Sequence, residues 1–219
     1  MYRFALVSMF VALVAAVAQA QQPGAKPPDH MQHRFDDPAK FAKSFDDPKR
    51  DAWQMPDRVI AALKLAPNAA VADIGAGTGY FSMRLARAVP KGTVYAVDIE
   101  PNMISHLKTR AATEKRTNVT PVLASAESPN LTQPVDVILI VDTYHHIGSR
   151  KAYFQALRSK LKPGGRIAIV DFRKDAPEGP PAEFRFTPEQ IKNEMAEAGY
   201  TVDSEHDFLP RQVFLIFKV

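Results

Sequence analysis

One stretch constrains this chain more than any other: Val71-Ala72-Asp73-Ile74-Gly75-Ala76-Gly77-Thr78-Gly79-Tyr80. The apolar run Ala70 to Ile74 reads as a short buried strand. Tyr80 to Val89, with Phe81, Leu85 and Val89 on one face, reads as a helix. The glycines between them let the backbone turn tightly and come close to a ligand. A dinucleotide fingerprint wants glycine at positions 75, 77 and 80, and position 80 is Tyr80. Asp73 precedes the first glycine by two residues. A carboxylate there would repel a pyrophosphate and attract a ligand that carries positive charge.

The pattern around this loop alternates strand and helix. Asp57 to Leu65 is a periodic helix, Thr93 to Val97 a second strand, and Pro101 to Ala112 a helix opened by its proline. Val119 to Leu123 is a third strand. Val135 to Val141 is a fourth, apolar enough for the sheet centre. Arg150 to Leu161 is a helix ended by Lys162-Pro163-Gly164-Gly165, and Arg166 to Phe172 a fifth strand. Thr187 opens a helix to Ala198, capped by Gly199. Tyr200 to Phe208 and Gln212 to Lys218 are strands joined by the short turn Leu209-Pro210-Arg211, so they are antiparallel. Five strands separated by helices predict an α/β, Rossmann-like, doubly wound parallel sheet. Its ligands belong beyond the strand ends, just after Ile74, Val97, Leu123 and Val141.

Asp98 closes the second strand. A carboxylate at that place can accept both ribose hydroxyls of an adenosine; the plainer alternative is that it caps the helix beginning at Pro101. Four segments in order then resemble the class I S-adenosylmethionine-dependent methyltransferases: VADIGAGTGYFSMRLA, VYAVDIEPNMI, VDVILIVDTYHHI and LKPGGRIAIVDF. The resemblance runs from Pro56 to Val219. It implies a seven-stranded sheet with the last strand antiparallel, and S-adenosylmethionine as cofactor. By motif, Asp73 and the backbone of Gly75, Ala76 and Gly77, with Gly79 completing the loop, would hold the methionine part. Asp98 would hold the ribose and Ile99 would pack on the adenine. Where the family often has an Asp-Ala pair to read the adenine, this chain has Ser125-Ala126-Glu127. The contact then falls to the serine hydroxyl or shifts to Glu127. Trp53-Gln54-Met55-Pro56 is similar to a segment that often closes over the cofactor.

On the acceptor side the candidates follow strand four: Asp142, Tyr144, His145 and His146. Methyl transfer is an in-line displacement that needs orientation, exclusion of water and, for a protic nucleophile, a base. A histidine suits the last task; against it stands the reading that one histidine packs and the other caps. The Asp/Asn-Pro-Pro-Tyr/Phe motif for exocyclic base amines is absent, and the basic residues of Lys108 to Arg116 are interrupted by Glu114. The first point argues against DNA adenine methylation and the second reads as a solvated helix face, so the acceptor is expected to be a small molecule and not a nucleic acid. Three further readings stay open: a nicotinamide oxidoreductase, disfavoured by Tyr80 and Asp73; a protein or nucleic-acid methyltransferase, which would lack a basic groove; and an exported, non-catalytic S-adenosylmethionine- or nucleoside-binding protein.

The N-terminal part is of another kind. Arg3, the apolar run Phe4 to Ala18 and the small-x-small site Ala18-Gln19-Ala20 describe a secretory signal peptide over residues 1–20. The run is shorter than the roughly 20 residues a spanning helix needs, so a membrane enters only if the segment stays uncleaved as an anchor. Residues 21–28 read as a linker, and residues 29–55 as a helical lid on the domain 56–219. The echo Phe35-Asp36-Asp37-Pro38 and Phe45-Asp46-Asp47-Pro48 marks two helix starts within that lid. Asp29, His30, His33, Asp36 and Asp37 are read as polar surface beside a linker, so no metal site is expected. With no cysteine in 219 residues, disulfides, iron–sulfur clusters and methyl transfer through a thiol are excluded.

Overall fold

The computed structural model describes Phe35 and residues 37–219. The signal segment, the linker and Asp29, His30, His33 and Asp36 lie outside the described residues.

The sheet is built from β1 (Ala70–Ile74), β2 (Thr93–Asp98), β3 (Val119–Leu123), β4 (Val135–Val141), β5 (Leu161–Phe172), β6 (Thr201–His206) and β7 (Gln212–Lys218). Their order across the sheet is β3-β2-β1-β4-β5-β7-β6. β1 to β5 are parallel, and β7 is antiparallel to both β5 and β6. β4 lies at the sheet centre, as its apolar run predicts. The chain winds outward from β1 in one direction and from β4 in the other. The crevice where the order reverses is therefore the ligand position of a doubly wound fold. Parallel register brings Ile74 opposite Val97 and Ile140, and Asp98 opposite Leu123. The carboxyl ends of these strands thus share one edge.

Period-two alternation sorts the strands onto two cores. Val71, Val94, Ala96, Val137 and Leu139 face α3 (Pro56–Ala62), α4 (Ser82–Ala88) and α5 (Pro101–Thr113) through Val59, Leu63, Leu85 and Leu107. Ala72, Val97, Ile138 and Ile140 face α6 (Arg150–Leu157) and α7 (Pro188–Glu197) through Phe154, Leu157, Ile191 and Met195. α7 starts with a capping box in which the Thr187 hydroxyl accepts from the Gln190 N–H and the Gln190 side chain accepts from the Thr187 N–H. It gives way to Gly199 at φ +89°.

Most boundaries shift by a few residues from the sequence expectation, and the largest difference lies between α6 and β5. The helix expected over Arg150 to Leu161 ends at Leu157, a single tight turn covers Arg158–Lys160, and β5 begins at Leu161. Leu161 pairs with Val135, but the next paired residue of β4, Val137, meets Arg166. Pro163 and Gly164, the latter at φ +75°, therefore lie within β5 and not at the helix end as expected. The strand starts ahead of them because Leu161 finds a ladder partner in Val135, and the extra residues before Arg166 loop out as an irregularity.

The N-terminal segment forms α1 (Pro38–Phe45), a tight turn Pro48–Arg50 and α2 (Asp51–Gln54). Both Asp-Pro pairs act as helix starts: Asp37 accepts the Lys40 N–H at 3.1 Å and Asp47 the Lys49 N–H at 2.9 Å. The second start yields one tight turn that runs on into α2.

Candidate functional site

The loop after β1 places Gly75, Gly77 and Gly79 at φ +78°, +54° and +96°, conformations that favour glycine. Gly75 has a second constraint: a Cβ there would lie 2.0 Å from Thr143 Oγ1. The loop is therefore seated directly against the segment that follows β4. The N–H groups of Gly75 and Ala76 both donate to the Val97 carbonyl at 2.9 Å, which ties the loop to β2. Below it Asp73 is buried and accepts the Ser82 hydroxyl at 2.6 Å. Burial pushes its carboxyl up to about 6; the Ser82 bond opposes this and the nearby Asp98 charge adds to it.

Asp98 stands at the end of β2. Its Oδ2 accepts the Gly77 N–H at 2.8 Å and its Oδ1 the Glu100 N–H at 3.0 Å. The residue at the N-cap of α5 is Glu100, whose side chain makes no cap bond. Asp98 thus joins two loops rather than capping the helix, and each of its oxygens keeps a further lone pair. Burial raises its pKa above the usual carboxylate value, against the backbone N–H bonds from Glu100, Gly77 and Ile99. Ile99 and Leu123, 58% and 48% exposed, present bare apolar surface beside it. Ser125, Ala126 and Glu127 form an exposed turn in which the Ser125 hydroxyl accepts the Glu127 N–H at 3.3 Å. A carboxylate able to accept hydroxyls, apolar surface next to it and a glycine loop with a buried carboxylate suit an adenosine bearing a positively charged tail.

The segment after β4 separates the residues expected to act on the acceptor. Asp142 sits at φ +50° and accepts from Gln54 Nε2 at 2.9 Å and Gln212 Nε2 at 2.5 Å, with Arg50 at 3.6 Å. Burial and then the Asp171 charge raise its pKa to about 6, while Arg50, Gln54 and His145 pull the other way. His145 is buried, and its Nδ1 meets both oxygens of the Asp171 carboxylate at 2.9 and 3.0 Å. Its backbone N–H donates to the same carboxylate at 3.1 Å. The His146 ring lies beside it, centroids 4.1 Å apart. Tyr144 points elsewhere: its fully buried ring stacks on Phe154 and its hydroxyl donates to Glu194 at 2.6 Å. It belongs to the core under α6 and α7 and does not join Asp142 and His145.

Four groups at this end escaped the sequence reading. Asp171 is the last but one residue of β5, and the strand-end rule applied one strand further would have found it. Gln54 lies inside the Trp53-Gln54-Met55-Pro56 segment, but only the tertiary fold shows that it binds Asp142. Arg50 and Gln212 carry no local signal.

The N-terminal helices cover this edge. Arg50 donates to Gln54 Oε1 and to the Phe45 carbonyl, and its guanidinium lies 4.3 Å from the Tyr80 ring centre. Asp51 accepts from the Tyr80 hydroxyl and pairs with Arg84 at 3.0 Å. Asp46 pairs with Arg110 at 2.7 Å, and Arg110 also donates to the Thr78 carbonyl at 3.0 Å. Phe45 lies against Gly77, where a Cβ would be 3.2 Å from its ring. Phe35 meets the edge of His146 at 5.7 Å, and Trp53 lies 5.7 Å from Phe172.

Residues 65–209 match the profile of a family described as "Methyltransferase domain". Among curated relatives, malonyl-[acyl-carrier protein] O-methyltransferase 2 of Ilyobacter polytropus is 30% identical over 105 residues, 48% of this chain and 40% of its own length. The ubiquinone/menaquinone biosynthesis C-methyltransferase UbiE of Syntrophotalea carbinolica is 30% identical over 125 residues, 55% and 50% of the two chains. The chain thus spans about half or less of these relatives' lengths. A solved structure of a SAM-dependent methyltransferase from Aquifex aeolicus superposes with a TM-score of 0.76 at 25% identity, covering 83% of this chain and 97% of the other. The glycopeptide N-methyltransferase MtfA, solved with S-adenosylmethionine, shares the fold at a TM-score of 0.63 and 14% identity, over 75% and 86% of the two chains.

Proposed function

The chain belongs to the methyltransferase domain family, and on that footing we propose that it transfers a methyl group from S-adenosylmethionine to a small-molecule acceptor by in-line displacement. The cofactor supplies an electrophilic methyl group on a positively charged sulfur; the chain's residues bind, orient and shield it. Asp98 accepts the ribose hydroxyls. Ile99 packs on the adenine, and the exposed turn Ser125-Ala126-Glu127 borders it. The backbone of Gly75, Ala76 and Gly77, with Asp73 beneath, holds the methionine end. Asp142, His145 and His146 face the acceptor, and residues 37–55 lie over both and keep water out.

One observation carries this reading. The Gly77 N–H bond to Asp98 and the seat of Gly75 against Thr143 draw the loop, the β2 end and the β4 end into one crevice. Calorimetry tests it: the protein should bind S-adenosylmethionine and S-adenosylhomocysteine and ignore NAD. A chain lacking residues 29–55 should bind both adenosyl ligands more weakly. Binding of NAD without response to either adenosyl ligand would overturn the reading.

Export of the protein, to a periplasm or the outside, is part of the proposal and rests on Arg3, the apolar run and Ala18-Gln19-Ala20. A full-length protein beginning at Met1 in the cytosolic fraction would count against it.

A further inference from the structure

We propose that Asp171 is the positioning residue for a general base, His145, and that the acceptor is therefore a molecule with an O–H or N–H nucleophile. The inference rests on the methyltransferase reading above and adds the acceptor's chemical class.

A carboxylate has no hydrogen to give, so a ring nitrogen seated against both oxygens of Asp171 must be the donor. That makes Nδ1 the protonated nitrogen of the neutral ring and leaves the lone pair on Nε2. The third bond to the same carboxylate, from the His145 backbone, fixes where the ring starts as well as how it turns. The ring also stands at the right place. Thr143, two residues earlier, touches the glycine loop assigned to the methionine end.

The charges around the ring agree. Asp171 faces it from β5 and Asp142 from the turn after β4. The His146 ring lies alongside, and Arg50 of the covering segment reaches Asp142 rather than the imidazole. Burial disfavours the imidazolium, but the bond to Asp171 and the charges of Asp171 and Asp142 outweigh it, so His145 holds a proton more tightly than an ordinary histidine. In the step, the acceptor's oxygen or nitrogen forms a bond to the methyl carbon as the carbon–sulfur bond breaks. The bonding pair stays on sulfur, which becomes a neutral thioether. The acceptor's proton passes to Nε2 and from there to solvent. A carboxylate acceptor would need no base.

Nuclear magnetic resonance on the full chain with nitrogen-15 histidine tests this without a known acceptor. In the S-adenosylhomocysteine complex, neutral His145 should carry its proton on Nδ1 and none on Nε2. With S-adenosylmethionine bound instead, the His145 midpoint should fall by about half a pH unit or more, because the sulfonium opposes the imidazolium. A histidine that only braces the fold would titrate alike in both. Asp171→Asn should lower the midpoint in both complexes while S-adenosylhomocysteine affinity stays within about twofold. If that variant does not fold, the two wild-type complexes decide alone. A proton on Nε2, or equal midpoints with both ligands bound, overturns the proposal alone. Wild-type protein that binds neither ligand overturns the parent reading and this one with it.

Discussion

At the ends of β1 and β2 the groups proposed to hold the cofactor come from two short stretches, Asp73 to Gly79 and Asp98 to Ile99, and the loop after β1 is shaped by glycine conformations and backbone N–H bonds. At the ends of β4 and β5 the clustered groups are side chains from four distant parts of the chain: Gln54, the turn Asp142 to His146, Asp171 and Gln212. The first half is a local motif whose shape follows from adjacent residues. The second half exists only once the sheet, the covering helices and β7 have come together. A fold that keeps its cofactor end local can change its acceptor end by single substitutions at remote positions.

The largest expected effect lies in the local half. A hydrogen bond to a charged group contributes roughly 1.5–3 kcal/mol, so Asp98→Ala should weaken S-adenosylmethionine binding by about tenfold or more. Asp98→Asn should fall between, since it keeps an acceptor and loses the charge. Asp98 also holds the Gly77 and Glu100 N–H groups, so the loop should loosen somewhat in both variants. Melting temperature and cofactor affinity measured on the same proteins separate the two roles. Lost stability with unchanged affinity would remove the ribose assignment and, with it, the claim that the local half is the cofactor half.

An effect of similar or smaller size comes from pH. Asp73 in the folded protein titrates near 6, above its ordinary 3.8. A raised carboxyl contributes stability below its unfolded pKa and loses it as pH rises through the folded one. Asp73→Asn lacks that ionisation, so its melting temperature relative to wild type should climb from about pH 4 to about pH 7. Cofactor affinity should run the other way in the wild type and fall below about pH 6, as the charge that attracts the sulfonium and ammonium is neutralised. A flat affinity profile across that range would separate Asp73 from the methionine end.

The same contrast governs what the sequence made legible. β1, β3, β4 and β7 stand where their apolar runs place them, because a buried parallel strand needs little more than such a run. Asp73, Asp98 and the glycines stand out in the sequence for the same reason: their places, at two strand ends and in the turn between β1 and α4, follow from neighbours in the chain. The end of α6 was misplaced because Leu161 is drawn into the ladder by Val135, a partner some 26 residues away that no local pattern reveals. Asp171 sat inside the motif that marked β5 yet had no visible partner until His145 was folded onto it. Gln212 opens a strand whose next residues are apolar, and its bond to Asp142 is a product of β7 pairing with β5.

Tyr144 provides the smallest effect and tests where the acceptor half stops. Sequence position alone groups it with Asp142, His145 and His146, but its ring is fully buried under α6 and α7 and its hydroxyl is taken by Glu194. Tyr144→Phe keeps the ring and removes one donor. Glu194 still has Arg150, which reaches both of its oxygens, so no charge is stranded. The cost should be about 1 kcal/mol of stability. Cofactor affinity and transfer of a labelled methyl group into a metabolite extract should stay near wild type. His145→Gln, in the same assay, should lower transfer while leaving cofactor affinity in place. Were Tyr144→Phe to slow transfer as much as His145→Gln with its stability intact, the phenol would have to reach the acceptor. Tyr144 would then belong to the crevice and not to the core.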